Sequence, residues 1–307
     1  MIDVCLLGVG GMMPLPDRFL TSMLFRLNGK MLLIDCGEGT QVTAKMVGWG
    51  FKNIDVICFT HMHADHIAGL PGFLLTISNS GRQEPLTLIG PIGLKKTYEG
   101  LSAIFPELCF DVNIIELDIN EENNTSHELN ISGFTIKAMF VEHKIPCFSY
   151  SIEVKRSGKF LPQKAISLDI PRNMWSSLQK GENVEHNGNV FTPSMVLGED
   201  RKGIKICYCT DSRPLERMHN FIKNADLFVC EGLYGEEEKK EKAMLKKHMI
   251  FSEAATMAKY GNVSELWLTH FSPALTEPEA FIQNATNIFE NTLLGYDRIN
   301  KTINFKE

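Results

Sequence analysis

The segment FTHMHADHIAGLPGF, residues 59–73, constrains this chain more than any other, because it places His61, His63, Asp65 and His66 within six positions. They follow IDVICFT, whose β-branched and apolar residues predict a buried strand. Three histidines at this spacing cannot all face one way on a regular strand or helix. We therefore expect a turn after the strand that aims the side chains at a common point.

A metal site explains this cluster better than packing does. With only nine histidines in 307 residues, the spacing is not expected by chance. Imidazole nitrogens combined with carboxylate oxygens suit zinc, manganese or iron better than magnesium or calcium. Four ligands do not complete a site for two metal ions, so further ligands are expected elsewhere in the chain.

Three further candidates share one sequence context, since each follows an apolar strand-like run. His143 follows IKAMFVE, Asp211 follows IKICYCT, and His270 follows ELWLT. The ends of strands are where an α/β scaffold presents its functional side chains. We therefore predict that these three residues join the cluster at 61–66.

The composition is that of a globular protein outside the membrane. The chain is 44% hydrophobic and 22% charged, and no apolar run approaches the length of a membrane span. The N-terminus MIDVCLLGVGG lacks the basic region of a signal peptide. The eight cysteines are scattered, mostly in apolar segments, as expected of buried thiols in a reducing compartment. We expect a cytoplasmic protein.

The order of strands and helices predicts an α/β fold. Asn28-Gly29 between two apolar runs predicts a two-residue hairpin. GEGTQVTAKMVGWG at 37–50 predicts a short helix closed by glycine, and further helices are expected at about 69–79, 252–259 and 277–290. The chain has two β-rich halves, each with helices, which fit a four-layer αββα sandwich.

Residues from 155 to about 200 interrupt this pattern with prolines, glycines and amides. Although the formal net charge of the chain is -6, residues 155–180 carry an excess of five positive charges. We interpret about 155–200 as an arm inserted into a single domain that spans 1–307. A solvated surface segment of mixed composition is the alternative interpretation of the charge excess.

In its predicted metal ligands the chain resembles the metallo-β-lactamase superfamily, whose signature is the H-x-H-x-D-H of 61–66. Within it the chain resembles the ribonuclease Z family, endonucleases that remove 3′ trailers from precursor tRNA. The resemblance runs nearly end to end and rests on these segments, in order: LLIDCGEGTQ, THMHADHIAGLPGFL, LIGPIGL, VEHKIPCFSYSIE, VLGEDRKG and CTDSRP.

The resemblance implies two metal ions, Zn²⁺ in the first place, with Mn²⁺ or Fe²⁺ as alternatives. It implies that His61, His63 and His143 bind one ion, that Asp65, His66 and His270 bind the other, and that Asp211 bridges both. It also implies two catalytic residues. Asp65 would orient the attacking water and accept its proton, and His248 would assist the departing 3′ oxygen.

For the substrate, the resemblance implies precursor tRNA, gripped by the arm through Lys159, Lys164 and Arg172, and a homodimer without a membrane. Two other hypotheses remain open. The chain could be another two-metal hydrolase of this fold that acts on a small phosphodiester or ester, or a non-catalytic RNA-binding relative.

Several residues stay undecided in the sequence. Asp35 and Glu38 could fix the imidazole tautomers or serve as helix caps. The remaining histidines have no matching context and are expected at the surface or in loops: His127, His186 and His219. Met249 and Ile250 stand where the resemblance implies small hydroxyl residues.

Overall fold

Strands that are buried on both faces build the centre of the protein, seen in a computed structural model that describes residues 1–105, 107–118 and 127–306. The first sheet has seven strands in the order β16-β1-β2-β3-β4-β5-β6. They are β1 (Ile2–Gly8), β2 (Ser22–Leu27), β3 (Lys30–Ile34), β4 (Ile54–Cys58), β5 (Leu86–Pro91), β6 (Val112–Leu117) and β16 (Asn300–Ile303). From β16 to β3 neighbours pair antiparallel, and from β3 to β6 they pair parallel.

The second sheet also has seven strands, in the order β15-β14-β13-β12-β9-β8-β7. They are β7 (His127–Ile131), β8 (Phe134–Val141), β9 (Cys147–Arg156), β12 (Arg201–Cys209), β13 (Leu227–Glu231), β14 (Leu266–Thr269) and β15 (Thr292–Leu294). The strands from β12 to β15 pair parallel, so their carboxyl ends lie at one edge of the sheet. A separate two-stranded ribbon consists of β10 (Val184–His186) and β11 (Asn189–Phe191).

Eleven α-helices occur in the described part of the chain. They are α1 (Thr40–Val47), α2 (Ala64–Ile67), α3 (Leu70–Asn79), α4 (Leu94–Ser102), α5 (Pro162–Ser167), α6 (Trp175–Gln179), α7 (Pro193–Val196), α8 (Glu216–Phe221), α9 (Lys240–Lys246), α10 (Phe251–Tyr260) and α11 (Gln283–Thr286). Among the described residues, no helix is both long and apolar enough to cross a lipid bilayer.

The helices cover the outer faces of the sheets, and the inner faces pack against each other. On the first sheet, Leu70 and Phe73 of α3 join Leu33 and Ile57 in one buried apolar cluster. On the second sheet, α10 contacts β13 and β14. Between the sheets, the buried Thr21 and Tyr208 hydroxyls are 2.7 Å apart. The predicted αββα sandwich is thus confirmed, because strands buried on both faces need a layer on either side.

The local predictions are mostly confirmed. Asn28 and Gly29, with φ of 49° and 81°, form the turn of the β2–β3 hairpin, as a turn with two positive φ angles requires. The helix predicted at 277–290 is confirmed only in part, as the 3₁₀ turn Pro278–Phe281 and the four-residue helix α11.

The chain divides into two compact units. The first comprises Met1–Glu153 and Lys205–Asn304, and the second comprises Val154–Ile204 with Phe305 and Lys306. The second unit contains α5 to α7 and the β10–β11 ribbon, and it has its own small core. This core consists of Ala165, Ile170, Leu178 and Val196, with Phe160, Met174, Trp175, Val184 and Phe191 packed against it.

Candidate metal centre

The structure brings the seven predicted ligand side chains together within the first unit: His61, His63, Asp65, His66, His143, Asp211 and His270. His61 and His63 lie on the turn between β4 and α2, and α2 carries Asp65 and His66. The other three follow the ends of β8, β12 and β14, as the sequence predicts.

Backbone conformation aims several of these side chains. Asp211 and His270, each just past a strand, have φ of 54° and 58°. Asp35, which follows β3, also has a φ of 58°. This left-handed region costs L-residues about 1 kcal/mol or more, so the surrounding fold must hold the residues there. The reversal turns each side chain out of its strand and toward the centre.

The first group of donor atoms comes from three histidines and Asp211, all within 4.8 Å of one another. His63 Nδ1 lies 2.9 Å from His61 Nε2 and 3.3 Å from His143 Nε2. Asp211 Oδ1 is 3.8 Å from His61 Nε2 and 3.6 Å from His143 Nε2. The four atoms therefore face one small volume.

The second group contains the other oxygen of the same aspartate. Asp211 Oδ2 lies 3.1 Å from His66 Nε2 and 3.2 Å from His270 Nε2. Asp65 Oδ2 is 3.6 Å and 3.5 Å from these two nitrogens. Asp211 thus presents one oxygen to each group, which is the arrangement of a bridging carboxylate.

Both groups fit metal ions. Ligand atoms at about 2.0–2.1 Å from a tetrahedral zinc ion lie roughly 3.3 Å from one another, and the separations here run from 2.9 to 3.8 Å. Asp211 Oδ2 is buried and makes no hydrogen bond within the described residues, although two imidazole nitrogens are close to it. This oxygen has no hydrogen-bond donor in the described part of the chain, and it faces the same small volume as the two nitrogens. A cation in that volume would explain both facts.

Buried partners fix the tautomers of two histidines. His66 Nδ1 donates to Asp35 Oδ2 at 2.8 Å, which leaves Nε2 free to bind a metal. Thr60 Oγ1 lies 3.1 Å from His61 Nδ1 and 2.9 Å from Asp35 Oδ2. The hydroxyl can accept from His61 while donating to Asp35, so one carboxylate supports both rings. Of the two roles left open for Asp35, the structure shows the support of imidazoles, whereas Glu38 is exposed.

The electrostatics of the centre differ from one donor residue to the next. Burial lowers the pKa of His143 to about 4 and, with the nearby His66, lowers the pKa of His61 well below its usual value. Burial alone would lower the pKa of His66, but Asp35 and Asp211 outweigh it and raise that pKa. Burial would raise the pKa of Asp211, but the histidines around it lower that pKa well below its usual value. At neutral pH the centre therefore offers the carboxylate of Asp211 and the unprotonated imidazoles of His61 and His143, whereas a metal ion would take the place of the proton on His66 Nε2.

His248, predicted as catalytic, lies beside the two groups but is oriented differently. Its Nδ1 donates to Glu231 Oε2 at 2.8 Å, and Glu231 Oε1 accepts from Ser212 N at 2.6 Å. His248 Nδ1 is also 3.7 Å from Asp211 Oδ1. Asp211, His248 and His270 therefore form a third group of donor atoms within 4.8 Å of one another. Because Glu231 holds a proton on Nδ1, that nitrogen is not a metal ligand.

Sequence reasoning missed Glu231 and the frame around His248. Arg213 donates to the His248 carbonyl oxygen and forms an ion pair with Glu253. Glu253 Oε2 also accepts from Ile250 N at 3.2 Å, at the start of α10. Glu231 is the last residue of the apolar strand β13, and three of the predicted ligands lie just past such a strand. The segment ADLFVCEG therefore carried a signal for Glu231.

Comparisons with known proteins identify the family of the chain. A family model described as "Anti-Pycsar protein Apyc1" matches residues 2–161, so this half of the chain belongs to the family that the model describes. A curated protein of Clostridium kluyveri named Ribonuclease Z is 57% identical over 307 residues, which are 100% of both chains. The chain belongs to the ribonuclease Z family. The resemblance that the sequence motifs suggest is thereby confirmed.

Solved structures agree with the ribonuclease Z assignment and with the fold. The short form of human tRNase Z is similar with a TM-score of 0.72 and 25% identity, covering 99% of this chain and 100% of that one. YhfI of Bacillus subtilis, titled a metallo-β-lactamase fold protein, has a TM-score of 0.68 at 18% identity, covering 98% of this chain and 100% of that one. This second likeness concerns the fold alone.

The remaining residues predicted from the ribonuclease Z resemblance are not part of the metal centre. Lys159, Lys164 and Arg172 are exposed and lie in the second unit. Met249 and Ile250, the departures from the family pattern, are fully buried, so they affect packing behind His248 and not the surface that meets a substrate. The histidines expected at the surface or in loops lie in β7, β10 and α8, outside the donor groups: His127, His186 and His219.

A cavity of about 330 Å³ opens over the ribonuclease Z metal centre. It is lined by Met12, His63, Ala64, Asp65, His143, Lys144, Asp211, Lys246, His248 and His270. Atoms of both donor groups and His248 thus face one space, which can hold a single reacting group next to all of them.

Proposed function

We propose that this chain is a two-metal endoribonuclease that cuts precursor tRNA at its 3′ trailer. The products are a tRNA with a 3′-hydroxyl and a trailer with a 5′-phosphate. Family membership makes the chain a hydrolase that cuts RNA internally. The observation that carries the finer proposal is Asp211, whose two oxygens face two separate groups of metal-binding atoms.

The residues that would hold the metals follow from the donor atoms. His61 Nε2, His63 Nδ1, His143 Nε2 and Asp211 Oδ1 would hold one ion. Asp65 Oδ2, His66 Nε2, His270 Nε2 and Asp211 Oδ2 would hold the other. Zinc suits this donor set best, and manganese or iron would also bind. When bound, the two ions supply Lewis acidity, which activates water near pH 7 and neutralises charge on the phosphoryl oxygens.

Asp65 would position the attacking water. Its Oδ2 accepts a hydrogen bond from Met12 N at 2.7 Å, so the carboxylate is fixed at the wall of the cavity. Its side chain is 12% exposed, so one edge of it can reach the substrate. A carboxylate held there can accept the proton that the water loses during in-line attack.

His248 would act on the leaving group, which is the 3′ oxygen of the ribose. Glu231 holds the proton on Nδ1, and this leaves Nε2 to serve the cavity that His248 lines. Ser212 N donates to Glu231 and holds it in place. Arg213, paired with Glu253, donates to the carbonyl oxygen of His248 and holds its backbone. Burial alone would lower the pKa of His248, but Glu231 and Asp211 outweigh it and raise that pKa, so the ring can carry a proton on Nε2 as well. It can donate this proton to the leaving oxygen as the phosphodiester bond breaks.

We further propose that the second unit is the arm that grips the body of the tRNA. It carries the exposed Lys159, Lys164 and Arg172 on a fold with its own core, so the charges have a defined scaffold. Cations spaced along a surface bind the phosphate backbone without reading its sequence.

The cellular setting and assembly are proposals of the same kind. All eight cysteines are free and seven are buried, which supports a cytoplasmic location. A homodimer is proposed from the family resemblance alone. Its molar mass in light scattering after size-exclusion chromatography would be twice that of the chain, and a mass of one chain would refute it.

Cleavage of a precursor tRNA with a 3′ trailer tests the proposed function. We expect a single cut after the discriminator base in the wild type, none in Asp65→Ala, and a normal cut in the control Asp111→Ala, whose side chain is exposed and does not line the cavity. Failure to cut RNA combined with metal-dependent hydrolysis of bis(p-nitrophenyl) phosphate would instead favour a small-phosphodiester hydrolase. Failure with both substrates would favour a non-catalytic relative.

A further inference from the structure

The two lysines that line the cavity lie on one side of it. Lys144 follows His143 directly, and Lys246 precedes Lys247, whose carbonyl oxygen accepts from His143 Nδ1 at 3.4 Å. Both lysines therefore lie on the side of His143.

Among the described residues, the opposite side carries a methionine at the rim and no lysine. Met12, which is 53% exposed, binds Asp65 through its backbone N–H. Next to it, a Cβ on Gly11 would lie 2.7 Å from the His270 ring, so the backbone itself packs on that ligand. The cavity thus offers a ligand two cations at one end and a flexible thioether at the other.

The two rim lysines have no counter-charge of their own. Lys247 pairs with Glu142, but in the described part of the chain the side chains of Lys144 and Lys246 form no ion pair and no hydrogen bond. Two like charges beside one cavity disfavour each other unless an anion lies between them. Lysine ammonium groups bind phosphate as point charges, without a fixed geometry.

The volume of the cavity limits how much of a substrate it can hold. About 330 Å³ is near the lower end of ligand pockets, which range over about 300–1,000 Å³. The scissile phosphodiester must occupy the donor groups at the floor, so a neighbouring phosphate of the same strand falls at the rim.

We propose that Lys144 and Lys246 bind a phosphate adjacent to the scissile one, so that the centre selects a strand with at least two consecutive phosphodiesters. This inference rests on the proposed function and adds positioning residues to it. It predicts that the charged rim favours RNA over substrates with a single phosphodiester, by holding the strand in register with the donor groups.

Neutralising the lysines in the holoenzyme tests the proposal. With precursor tRNA, we expect kcat/KM of Lys144→Gln/Lys246→Gln to fall by about 10- to 100-fold. The slope of log kcat/KM against log salt should flatten by about 0.7, the value for one neutralised phosphate of a single strand. Lys144→Arg/Lys246→Arg keeps the charges and should retain most of the activity. Lys242→Gln, an exposed lysine of α9 that does not line the cavity, is the matched control.

A substrate change separates phosphate binding from a structural role of the lysines. A single methylphosphonate, which carries no charge, replaces in turn the phosphate 5′ and the phosphate 3′ of the scissile one. At one of these positions the wild type should lose about tenfold in kcat/KM, and the glutamine variant less than about twofold. Equal losses in both proteins at both positions would overturn the proposal, as would a glutamine variant as fast as the wild type.

The two proposals fail in different ways. A wild type that cuts no RNA overturns the proposed function and this inference together. A wild type that cuts precursor tRNA normally, with glutamine variants that match it in rate and salt dependence, overturns only the role of Lys144 and Lys246.

Discussion

Glu231 is the residue through which the proposed role of His248 can be tested most sharply. It is fully buried and accepts two hydrogen bonds, from Ser212 N at 2.6 Å and from His248 Nδ1 at 2.8 Å. Glutamine has the same size but offers one acceptor oxygen and one amide donor. In Glu231→Gln only one of the two donors keeps an acceptor, and an unsatisfied buried donor costs about 1–3 kcal/mol.

The catalytic consequence is larger than the structural one. Either His248 loses its acceptor, or its ring receives a hydrogen bond on Nδ1 and becomes a weaker acid at Nε2. Because a positioned general acid contributes about 10²- to 10⁴-fold, we expect kcat for precursor tRNA to fall by about 100- to 1,000-fold in Glu231→Gln. The cost of about 1–3 kcal/mol is small enough for the protein to remain folded.

The assay compares two leaving groups under single-turnover conditions. In the second substrate, sulfur replaces the bridging 3′ oxygen at the cut, and a thiolate leaves without a proton. On this substrate the loss in Glu231→Gln should be less than about tenfold. If the variant loses equally on both substrates, Glu231 and His248 do not serve protonation of the leaving group, and the reasoning is refuted.

Three further predictions address the metals, the arm and the fold. Asp35→Asn removes the charged acceptor of His66 Nδ1, so the zinc dissociation constant, measured against a fluorescent chelator, should rise about 10- to 100-fold; an unchanged constant would contradict this role. Lys164→Glu/Arg172→Glu should raise KM for precursor tRNA and flatten its salt dependence, and a loss confined to kcat would contradict the arm proposal. Burial of Asp297 raises its pKa to about 6, so the fold favours its protonated form and loses this stabilisation as pH rises from about 4 to about 6. Asp297→Asn should therefore raise Tm relative to the wild type at pH 7.5 but not at pH 4. An equal difference in Tm at both pH values would contradict the raised pKa of Asp297.

The sequence was informative wherever a local pattern has one physical meaning. The H-x-H-x-D-H segment after a strand has few roles besides metal binding, and the structure brings its four side chains together with the three residues that follow strands. The Asn28-Gly29 turn is as clear, because two positive φ angles strongly restrict the residue types.

Prediction failed where the outcome depends on distant partners. Nothing in the sequence near Thr60 indicates that its hydroxyl links His61 to Asp35, since that contact requires the β3 and β4 strands to be side by side. Of the helix expected at 277–290, only the 3₁₀ turn Pro278–Phe281 and the short helix α11 form. Lys144 and Lys246 are ordinary charged residues in the sequence, and only the cavity brings them to one rim.

The central claim is that Asp211 bridges two metal ions that together cut RNA, and counting metal ions in active protein tests it most directly. Elemental analysis of the purified protein, with precursor tRNA cleavage measured on the same sample, should give about two zinc, manganese or iron ions per active chain. Asp211→Ala should hold no more than one and cut nothing. Full cleavage by protein with a single ion per chain, or by the Asp211→Ala variant, would contradict the account.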